Sequence, residues 1–369
     1  MVFPSDPMQA YLDLGQTYEY YSDYFNPGHF FDEVYSLSPW GNARREVHEN
    51  VTYIKSNPRN FRKIITDIKP NVVRAYGGYH CADWLAMNLV EGIPTVVSVH
   101  DTNPNLIFDS IKYADNIVCM AKCVQDAVRK KVDCTGKGEW VMGNRVDTSL
   151  FSRTVDDGLN DKLNERFGTG RHVLHVGRKS EQKNLDTVIR ALQHLPEDVS
   201  AVFVGRGDFS PYEKLAKDIG VIGRVHNVDH VDNVELPKWY TWCDCFCTPS
   251  RWEGFGFVFI EAASCETPIV TSDIGPMNEY LSNDINSILV REYENPEAIA
   301  KAILLTFENS DGIARMKKNA RNVGLHFSKE SVDSQEMAIY EEIIKRGPRE
   351  RSHLSFVDRK KMEWKYRKY

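Results

Sequence analysis

Short β-branched runs alternate with helical stretches along this chain, and no other feature of the sequence restricts the fold as much. Strands are predicted over residues 71–75, 94–99 and 116–120 in the first half, and over 172–176, 200–204 and 243–248 in the second, and a helical stretch follows all of them except 94–99. This alternation is typical of βαβ units, in which helices cover a parallel sheet. The sequence therefore predicts an α/β fold.

The length indicates two domains rather than one. The chain has 369 residues, about twice the usual size of a single domain. Asp, Gly, Ser and Thr concentrate between positions 147 and 160, so we predict domains over 1–150 and 151–334. Residues 335–369 are predicted to form a helix and tail that pack back on the first domain. Because ligands of open parallel sheets bind at the carboxyl ends of strands, the functional residues should follow strands.

Composition and charge limit the classes of function. The chain is 42% hydrophobic and 27% charged, values typical of a globular protein, and its formal net charge is −6. Nucleic-acid-binding chains are more often basic, so we expect no nucleic acid partner. There is no run of about 18 apolar residues, and the first 13 residues contain no basic segment. We therefore expect a cytoplasmic protein with neither a membrane span nor a secretory signal.

The eight cysteines are interpreted as reduced thiols, in line with a cytoplasmic protein. Cys243, Cys245 and Cys247 alternate along a predicted strand and would present three sulfur atoms on one face. Structural zinc sites, however, usually pair two Cys-x2-4-Cys units, and the chain has no second unit. We interpret these cysteines as small buried hydrophobic residues and predict no metal site.

Segment 249–261 carries the strongest functional signal. It follows a predicted strand, enters a helix and holds two carboxylates, Glu253 and Glu261, eight positions apart. Glycines between them would let the backbone approach a ligand, and free N–H groups at the helix start would cradle a phosphate. Glu261, expected in the first helical turn, would accept hydrogen bonds from the vicinal hydroxyls of a ribose, and Glu253 would reach a sugar. The predicted contacts are Ser250, Glu253, Gly254, Phe255, Gly256, Phe257 and Glu261.

The alternative for this segment is a surface loop with a glutamate that a helix N-terminus favours. A second segment, 177–184, also lies between a strand and a helix. Arg178 and Lys183 are spaced so that one loop can turn both cations toward an anion such as a diphosphate. The alternative there is a basic turn in solvent, and we expect Lys179 to point into solvent in either case.

His100 follows a predicted strand of the first domain directly. At that edge of the sheet it could touch a bound sugar. The alternative is a histidine whose hydrogen bonds are satisfied within the domain, with Asp101 as its structural partner.

The C-terminal stretch is basic and aromatic. Phe356, Trp364, Tyr366 and Tyr369 interleave with cations and could contact a lipid headgroup region. The alternative is a helix that packs on the first domain and continues as a solvated tail. The basic residues are Arg346, Arg349, Arg351, Arg359, Lys360, Lys361, Lys365, Arg367 and Lys368.

Taken in order, the motifs of the second half resemble a known family. The chain contains Asn144-Arg-Val-Asp147, then Gly177-Arg178 with Lys183-Asn184, Gly205-x-Gly207, Pro249-Ser250-x-x-Glu253-Gly254-Phe255-Gly256 with Glu261-Ala262, and Pro268-Ile-Val. This set resembles glycosyltransferase family 4, the retaining GT-B enzymes that use nucleotide-sugar donors. The resemblance is specific over residues 141–290, and His100 is the best match before them to a cleft histidine of the family.

The resemblance implies a GT-B fold, in which two Rossmann-like domains face each other across a cleft. Gly177, Arg178 and Lys183 would bind the donor diphosphate, while Glu261 would bind the ribose and Glu253 the donor sugar. The catalytic set would be Glu253, His100, Arg178 and Lys183. Transfer would retain the anomeric configuration and need neither a metal nor another cofactor. The leaving phosphate itself would assist the incoming hydroxyl, so no enzymic nucleophile would be required.

The resemblance also suggests substrates. We expect a UDP-sugar as the donor, with a GDP-sugar next, and a hydroxyl acceptor that is a sugar, a glycan or a lipid-linked glycan. The setting would be polysaccharide, lipopolysaccharide or glycoconjugate biosynthesis, with peripheral contact at the cytoplasmic face of a membrane through the basic tail as a further expectation. The alternatives are another GT-B enzyme, either a sugar-nucleotide epimerase or a phosphorylase, and a non-catalytic nucleotide-sugar-binding protein.

Two features depart from the family pattern. The chain opens with Met1-Val-Phe-Pro4 and soon enters an aromatic stretch over 18–31, so the usual first strand is expected to be missing or replaced. Glu266 stands where the family commonly has glycine, and we expect a local effect only.

Overall fold

The computed structural model of this protein describes residues 1–13, 15–41, 44–308, 311–350 and 354–369. The contacts divide the chain into two compact units. The first unit contains Met1–Gly143 together with Val332–Tyr369, and the second contains Asn144–Ser331.

The first unit is built on a mainly parallel sheet. Its strands are β1 (Val2–Phe3), β2 (Val34–Ser38), β3 (Arg45–His48), β4 (Val51–Lys55), β5 (Val73–Tyr76), β6 (Thr95–Val99), β7 (Asn116–Cys119) and β8 (Gly138–Val141). Among the described residues these eight strands lie in the order β3-β4-β2-β1-β5-β6-β7-β8, and only β3 runs antiparallel to its neighbour. The first helices of the unit are α1 (Met8–Leu12), α2 (Tyr18–Phe25), α3 (Phe61–Ile68), α4 (His80–Met87) and α5 (Lys122–Lys131).

The burial pattern explains why these segments form central strands. Every residue of β5, β6 and β7 is buried, as expected for parallel strands with covered faces. Helix α4 is buried over almost its whole length, and its Trp84 is fully buried in the core of this unit.

The first strand of the sheet is present, which corrects the expectation that it is missing or replaced. β1 has only two residues, yet it lies in the middle of the sheet and pairs in parallel with β2 and β5. Phe3 is fully buried and its ring lies 5.1 Å from that of Phe61 in α3. The strand was missed because two residues are too few to show a periodic pattern.

The second unit has a parallel sheet with helices between its strands. In chain order its elements are α6 (Asp157–Phe167), β9 (Arg171–Val176), α7 (Leu185–Ala191), β10 (Val199–Val204), α8 (Ser210–Asp218), β11 (Val225–Val228), α9 (Leu236–Trp242), β12 (Cys245–Thr248), α10 (Phe257–Ser264), β13 (Ile269–Ser272), α11 (Met277–Tyr280), β14 (Ile288–Val290), α12 (Pro296–Thr306) and α13 (Asp311–His326). Within the described chain its six strands lie in the order β11-β10-β9-β12-β13-β14, and each pairs in parallel with its neighbours. Two parallel-sheet units confirm the predicted α/β fold class.

The strand order of the second unit defines a binding edge. Read from β9, the chain adds strands outward on one side as far as β11 and then returns to the other side of β9 at β12. This is the doubly wound order of dinucleotide-binding sheets, and its ligands bind where the order reverses, at the carboxyl ends of the strands. The loops after β9 and β12 therefore hold the expected ligand site.

Two positions in the loops of this unit adopt left-handed backbone conformations with different consequences. Gly205, at φ 135°, follows β10, and a Cβ atom there would collide with the carbonyl oxygen of Gly177. Glu266 has φ 59°, a conformation that glycine adopts without steric cost. The geometry accounts for the family's preference for glycine at position 266.

The chain ends with α14 (Lys329–Arg346) and α15 (Phe356–Lys365). Helix α15 packs on α4: Lys365 Nζ and the Tyr366 hydroxyl both donate to Asp83 Oδ2, at 2.8 and 2.7 Å. Tyr366 is buried in the core of the first unit. Of the basic residues in this stretch, Arg351 lies outside the described residues. No described helix combines the length and the hydropathy needed to cross a bilayer.

Candidate functional site

The two segments that the sequence singles out come together at the carboxyl edge of the second sheet. They follow β9 and β12, which are neighbours in that sheet. Arg251, after β12, links the segments: its backbone N–H donates to Gln182 O at 2.8 Å, and its guanidinium donates to the two carboxylate oxygens of Asp186 at 2.9 and 3.1 Å. This cross-link holds the loops on both sides of the point where the strand order reverses.

Lys183 and Glu253 form a buried ion pair between these loops. Lys183 Nζ donates to Glu253 Oε1 at 2.5 Å, and the two residues are only 8% and 5% exposed. Ser250 Oγ donates to the same Oε1 at 2.8 Å, and Gln182 Nε2 reaches Oε2 at 3.5 Å. The lysine from one loop is thus held by the first carboxylate of the other, so an anion that binds the ammonium must compete with Glu253.

Glu261 lies in the second turn of α10, so its predicted place in the first turn is wrong. The helix begins at Phe257, which makes Glu261 its fifth residue. The buried Tyr240 hydroxyl donates to Glu261 Oε2 at 2.9 Å. Burial raises the pKa of Glu261 to about 7, although the Tyr240 hydrogen bond and the Lys183 charge act in the opposite direction. The carboxyl group therefore titrates near neutral pH.

The turn over residues 254–256 leads the backbone into α10. Gly256 has φ 87°, and a Cβ atom there would lie 2.5 Å from the ring of Phe259, so only glycine fits. The carbonyl oxygen of Phe255 accepts a 2.7 Å hydrogen bond from the Tyr280 hydroxyl, and the two rings stack. Helix α10 begins at Phe257, whose side chain is 38% exposed. The first backbone N–H groups of a helix have no acceptor within the helix, and in α10 these groups directly follow the glycine turn.

Gly177 and Arg178 begin the other loop. Gly177 has φ 151°, and a Cβ atom there would approach Lys183 Cε at 3.3 Å. The missing side chain therefore leaves room for Lys183 to pass. Arg178 is exposed, and its Nη2 lies 3.5 Å from Gln182 Oε1, so its guanidinium is only loosely held.

Lys179 does not point into solvent, and that prediction is wrong. Its side chain is fully buried, and its Nζ donates to the carbonyl oxygens of Gly205 and Val228 and to Asp229 Oδ1. These acceptors follow or end β10 and β11, so the ammonium ties the loop after β9 to the ends of the two neighbouring strands. Lys179 acts as a structural cross-link.

His100 lies at the carboxyl end of β6 in the first unit. Among the described residues its Nε2 is buried without a hydrogen-bond partner, and Asp101 instead accepts from the backbone N–H of Asn103 at 2.7 Å. Burial, followed by the nearby Arg74 charge, lowers the pKa of His100 to about 4. The imidazole is therefore neutral at pH 7 and can donate or accept one hydrogen bond.

The first unit also contains a cavity near the carboxyl ends of β1, β2 and β4. Its walls include Tyr11, Tyr18 and Trp40 as well as Asp6 and Lys55. Apolar faces beside a few polar groups are typical of small-molecule sites. The cavity is a candidate site for a second ligand in this unit.

Known structures and sequences show which proteins the chain is similar to. It superimposes on sucrose-phosphate synthase from Thermosynechococcus elongatus with a TM-score of 0.76 at 17% identity, over 90% of this chain and 94% of that one. It matches HepE of Anabaena, solved in complex with UDP-glucose, with a TM-score of 0.72 at 18% identity, over 92% and 98% of the two chains. The family model described as Glycosyl transferases group 1 matches residues 159–323. These findings support a GT-B protein that is similar to the family 4 glycosyltransferases.

A sequence relative agrees with this assignment. The D-inositol 3-phosphate glycosyltransferase of Xylanimonas cellulosilytica is 30% identical over 213 residues, which are 55% of this chain and 51% of that protein. The chain thus spans about half the length of this curated relative. The predicted resemblance and the predicted GT-B fold are both confirmed.

Some residues of this GT-B site were not predicted from the sequence. Tyr240, which holds Glu261, comes from α9, and no motif marks it. Arg251 stands inside the strongest motif, but its partners Asp186 and Glu294 are 65 and 43 positions away. The only available signal for Arg251 was a cation inside an otherwise acidic and aromatic motif.

The cysteines of this GT-B chain are free and largely buried. Cys245 and Cys247 belong to the core of the second unit, Cys243 is buried nearby, and burial raises the pKa of Cys245 to about 12. This confirms their interpretation as small buried hydrophobic residues. Across the described ranges, no three His, Cys, Asp or Glu side chains are grouped to hold a metal ion.

Proposed function

We propose that this protein transfers a sugar from a nucleotide-sugar donor to a hydroxyl acceptor, with retention of the anomeric configuration and without a metal. A UDP-sugar is the preferred donor and a GDP-sugar the next. The observation that carries the proposal is the grouping of Lys183, Glu253 and Glu261 beside the glycine turn at the start of α10. The relatives' glycosyltransferase names and the UDP-glucose bound to HepE support it, and polysaccharide, lipopolysaccharide or glycoconjugate biosynthesis is the proposed setting.

The proposed chemistry divides the donor among these groups. Negative charge develops on the leaving diphosphate, and Arg178, Lys183 and the N–H groups at the start of α10 stabilise it. Glu261 accepts hydrogen bonds from the ribose hydroxyls, and Glu253 accepts them from the sugar hydroxyls. The incoming hydroxyl gives its proton to the leaving phosphate oxygen as the new glycosidic bond forms and the old one breaks.

The acceptor side is assigned to the first unit. Its cavity offers the rings of Tyr11, Tyr18 and Trp40 as a surface for a sugar acceptor. His100 is neutral at pH 7 because its pKa is lowered, so it can hydrogen-bond to the transferred sugar without adding charge.

A calorimetric screen with UDP, GDP, ADP and their glucose conjugates, all in EDTA, tests this proposal. One diphosphate should bind, and its sugar conjugate should support transfer or slow hydrolysis at a rate that EDTA leaves unchanged. NMR of the product should show the anomeric configuration of the donor. Failure to bind any nucleotide would contradict the donor site, whereas activity lost in EDTA and restored by manganese would contradict the metal-free reaction. Binding without transfer or hydrolysis would favour a non-catalytic protein.

The raised pKa of Glu261 predicts a pH dependence of donor binding. Ribose hydroxyls donate to the ionised carboxylate, so the affinity for UDP-glucose should fall about tenfold per pH unit below the Glu261 pKa of about 7 and level off above it. The sugar nucleotide is suited to this measurement because its diphosphate is esterified at both ends and does not titrate in this range. Calorimetry from pH 5 to 8, in buffers of different ionisation enthalpy, measures the affinity and the released proton.

Two substitutions and a stability measurement act as controls for this dependence. Glu261→Gln should remove the slope, and Tyr240→Phe should move the midpoint above 7 because the tyrosine hydroxyl lowers the pKa. The free energy of unfolding of the unliganded protein should, in contrast, fall as the pH rises over this range. A carboxyl with a raised folded pKa stabilises below its unfolded pKa of 4.5, and this stabilisation is lost as the pH rises through about 7. A slope unchanged in Glu261→Gln would contradict the assignment.

A further inference from the structure

Helix α15 has two apolar faces, and the first unit covers only one of them. Met362 and Tyr366 pack into the core of that unit. On the opposite side of the helix, Phe356, Val357 and Trp364 are 74%, 59% and 65% exposed. Phe356, Lys360 and Trp364 are four residues apart, so their side chains lie along one face of the helix. Val357 lies beside them on the same face. Three large exposed apolar side chains on a ten-residue helix call for an explanation.

Cations flank the exposed apolar face. Lys360 and Lys361 line the same surface as Phe356, Val357 and Trp364, and their side chains are 58% and 76% exposed. Over residues 354–369 there are six basic and two acidic side chains, so this stretch carries +4, whereas the whole chain carries −6 and its remainder therefore −10. The positive charge is concentrated where the apolar side chains are exposed.

We infer that this face of α15 binds the surface of an anionic lipid bilayer. A basic amphipathic helix lies in the plane of such an interface, with its apolar side chains among the acyl chains and its lysines at the lipid phosphates. The indole of Trp364 combines an apolar ring with a polar N–H group, which suits the boundary between acyl chains and headgroups. The methylene chains of Lys360 and Lys361 can carry their ammonium groups to the headgroups. Neither the insertion of the apolar side chains nor the contact of the lysines with lipid phosphates needs a bound nucleotide. The inference therefore does not depend on the proposed transfer reaction.

Charge complementarity favours this occupant over a second copy of the chain. Two copies that met through α15 would bring together two surfaces of +4, and like charges facing each other weaken association. An acidic lipid surface supplies the opposite charge as well as an apolar layer for Phe356 and Trp364. The contact between Lys365 and Asp83 keeps one side of the helix fixed to α4, so the exposed face is presented by a folded element.

Vesicle co-sedimentation of the full chain, without nucleotide, tests the inference. Wild type should bind phosphatidylcholine vesicles that contain 30% phosphatidylglycerol (roughly the anionic share that gives a strong surface potential) and should stay in the supernatant with pure phosphatidylcholine. Phe356→Ser/Trp364→Ser should weaken binding about 100-fold through lost apolar burial. Lys360→Gln/Lys361→Gln should weaken it roughly 30-fold and reduce its sensitivity to salt.

Matched controls come from exposed positions of the second unit. Val234→Ser removes an apolar side chain that is 62% exposed, and Lys214→Gln/Lys217→Gln removes two exposed lysines, so both should bind vesicles like wild type. Thermal melting checks folding, and the lysine pair on α15 remains informative if the Phe356/Trp364 pair proves unstable. Wild type that ignores anionic vesicles overturns the inference. So does a wild-type dimer in light scattering that Phe356→Ser/Trp364→Ser abolishes.

Discussion

Lys183→Ala should lower the rate of sugar transfer by about 100-fold or more, by analogy with the loss of one group that stabilises transition-state charge. The lysine is a buried cation paired with Glu253, and Gly177 leaves the space through which its side chain passes. UDP affinity should fall as well, by roughly 10- to 100-fold, because a charge-assisted hydrogen bond to phosphate is lost. Calorimetry with UDP and a transfer assay with the preferred donor measure the two effects.

The ion pair with Glu253 allows this experiment to separate binding from folding. Lys183→Ala leaves a 5% exposed carboxylate without its cation, so the protein itself should also lose stability. Glu253→Gln removes the anion that competes for the ammonium, so it should bind UDP at least as tightly as wild type while it loses sugar transfer. Lys183→Ala/Glu253→Gln should regain stability without regaining UDP affinity.

The exposed Lys214, which pairs with Asp218 on α8, supplies a matched control, and Lys214→Ala should leave both measurements unchanged. A Lys183→Ala protein with wild-type rate and UDP affinity would exclude this lysine from the donor site. Weaker UDP binding by Glu253→Gln would show that the carboxylate positions the lysine and does not compete with the phosphate.

Most of the fold follows from local pattern. Helix α5 is predicted over 122–131 and found over Lys122–Lys131, because a helix on the surface of a sheet shows its periodicity in its own residues. β1 is different, since its place in the sheet depends on partners 34 and 72 positions away, Ser36 and Arg74. A two-residue strand fixed by long-range pairing leaves no local signal.

The same difference between local and long-range signals applies to the residues of the candidate site. Glu253, Gly256 and Glu261 could be predicted because the groups that would face one ligand lie within a single loop and helix. The side chains that hold these groups could not be predicted, because their partners are remote in sequence. Lys179 is the clearest example: its burial results from carbonyl groups 26 and 49 positions away, and such a lysine looks like a solvated cation until the strands are assembled.

Arg74→Met should lower the free energy of unfolding by about 3–5 kcal/mol, the range for breaking a buried ion pair. Arg74 in β5 is 3% exposed, and its guanidinium donates to Glu336 and, at 2.7 Å, to the hydroxyl of Tyr340, both on α14. Its Nε donates to Ser98 Oγ at 2.7 Å, and its guanidinium lies 4.4 Å from the centre of the Tyr76 ring. Burial by itself would lower the pKa of Arg74, but the Glu336 carboxylate raises it well above the usual range.

The expected loss of stability in Arg74→Met arises mainly from the buried carboxylate of Glu336, which remains in the variant. Glu336 is 1% exposed, and without the guanidinium its charge would lie in the core of the first unit. Arg74→Met/Glu336→Leu removes both charges and replaces them with apolar groups, so the double variant should recover most of the lost stability. Arg346→Met, which breaks an exposed pair with Glu342 on the same helix, should cost less than about 1 kcal/mol.

Urea unfolding of the three variants measures these differences in stability. The comparison requires that probes in both units report the same single unfolding transition. A double variant that is as unstable as Arg74→Met would mean that the hydrogen bonds to Tyr340 and Ser98, and not the ion pair, hold α14 against β5. Recovery in the double variant would instead assign the energy to the pair. In that case the buried charges serve to select the register of α14 on the sheet, because an apolar pair stabilises the contact without specifying it.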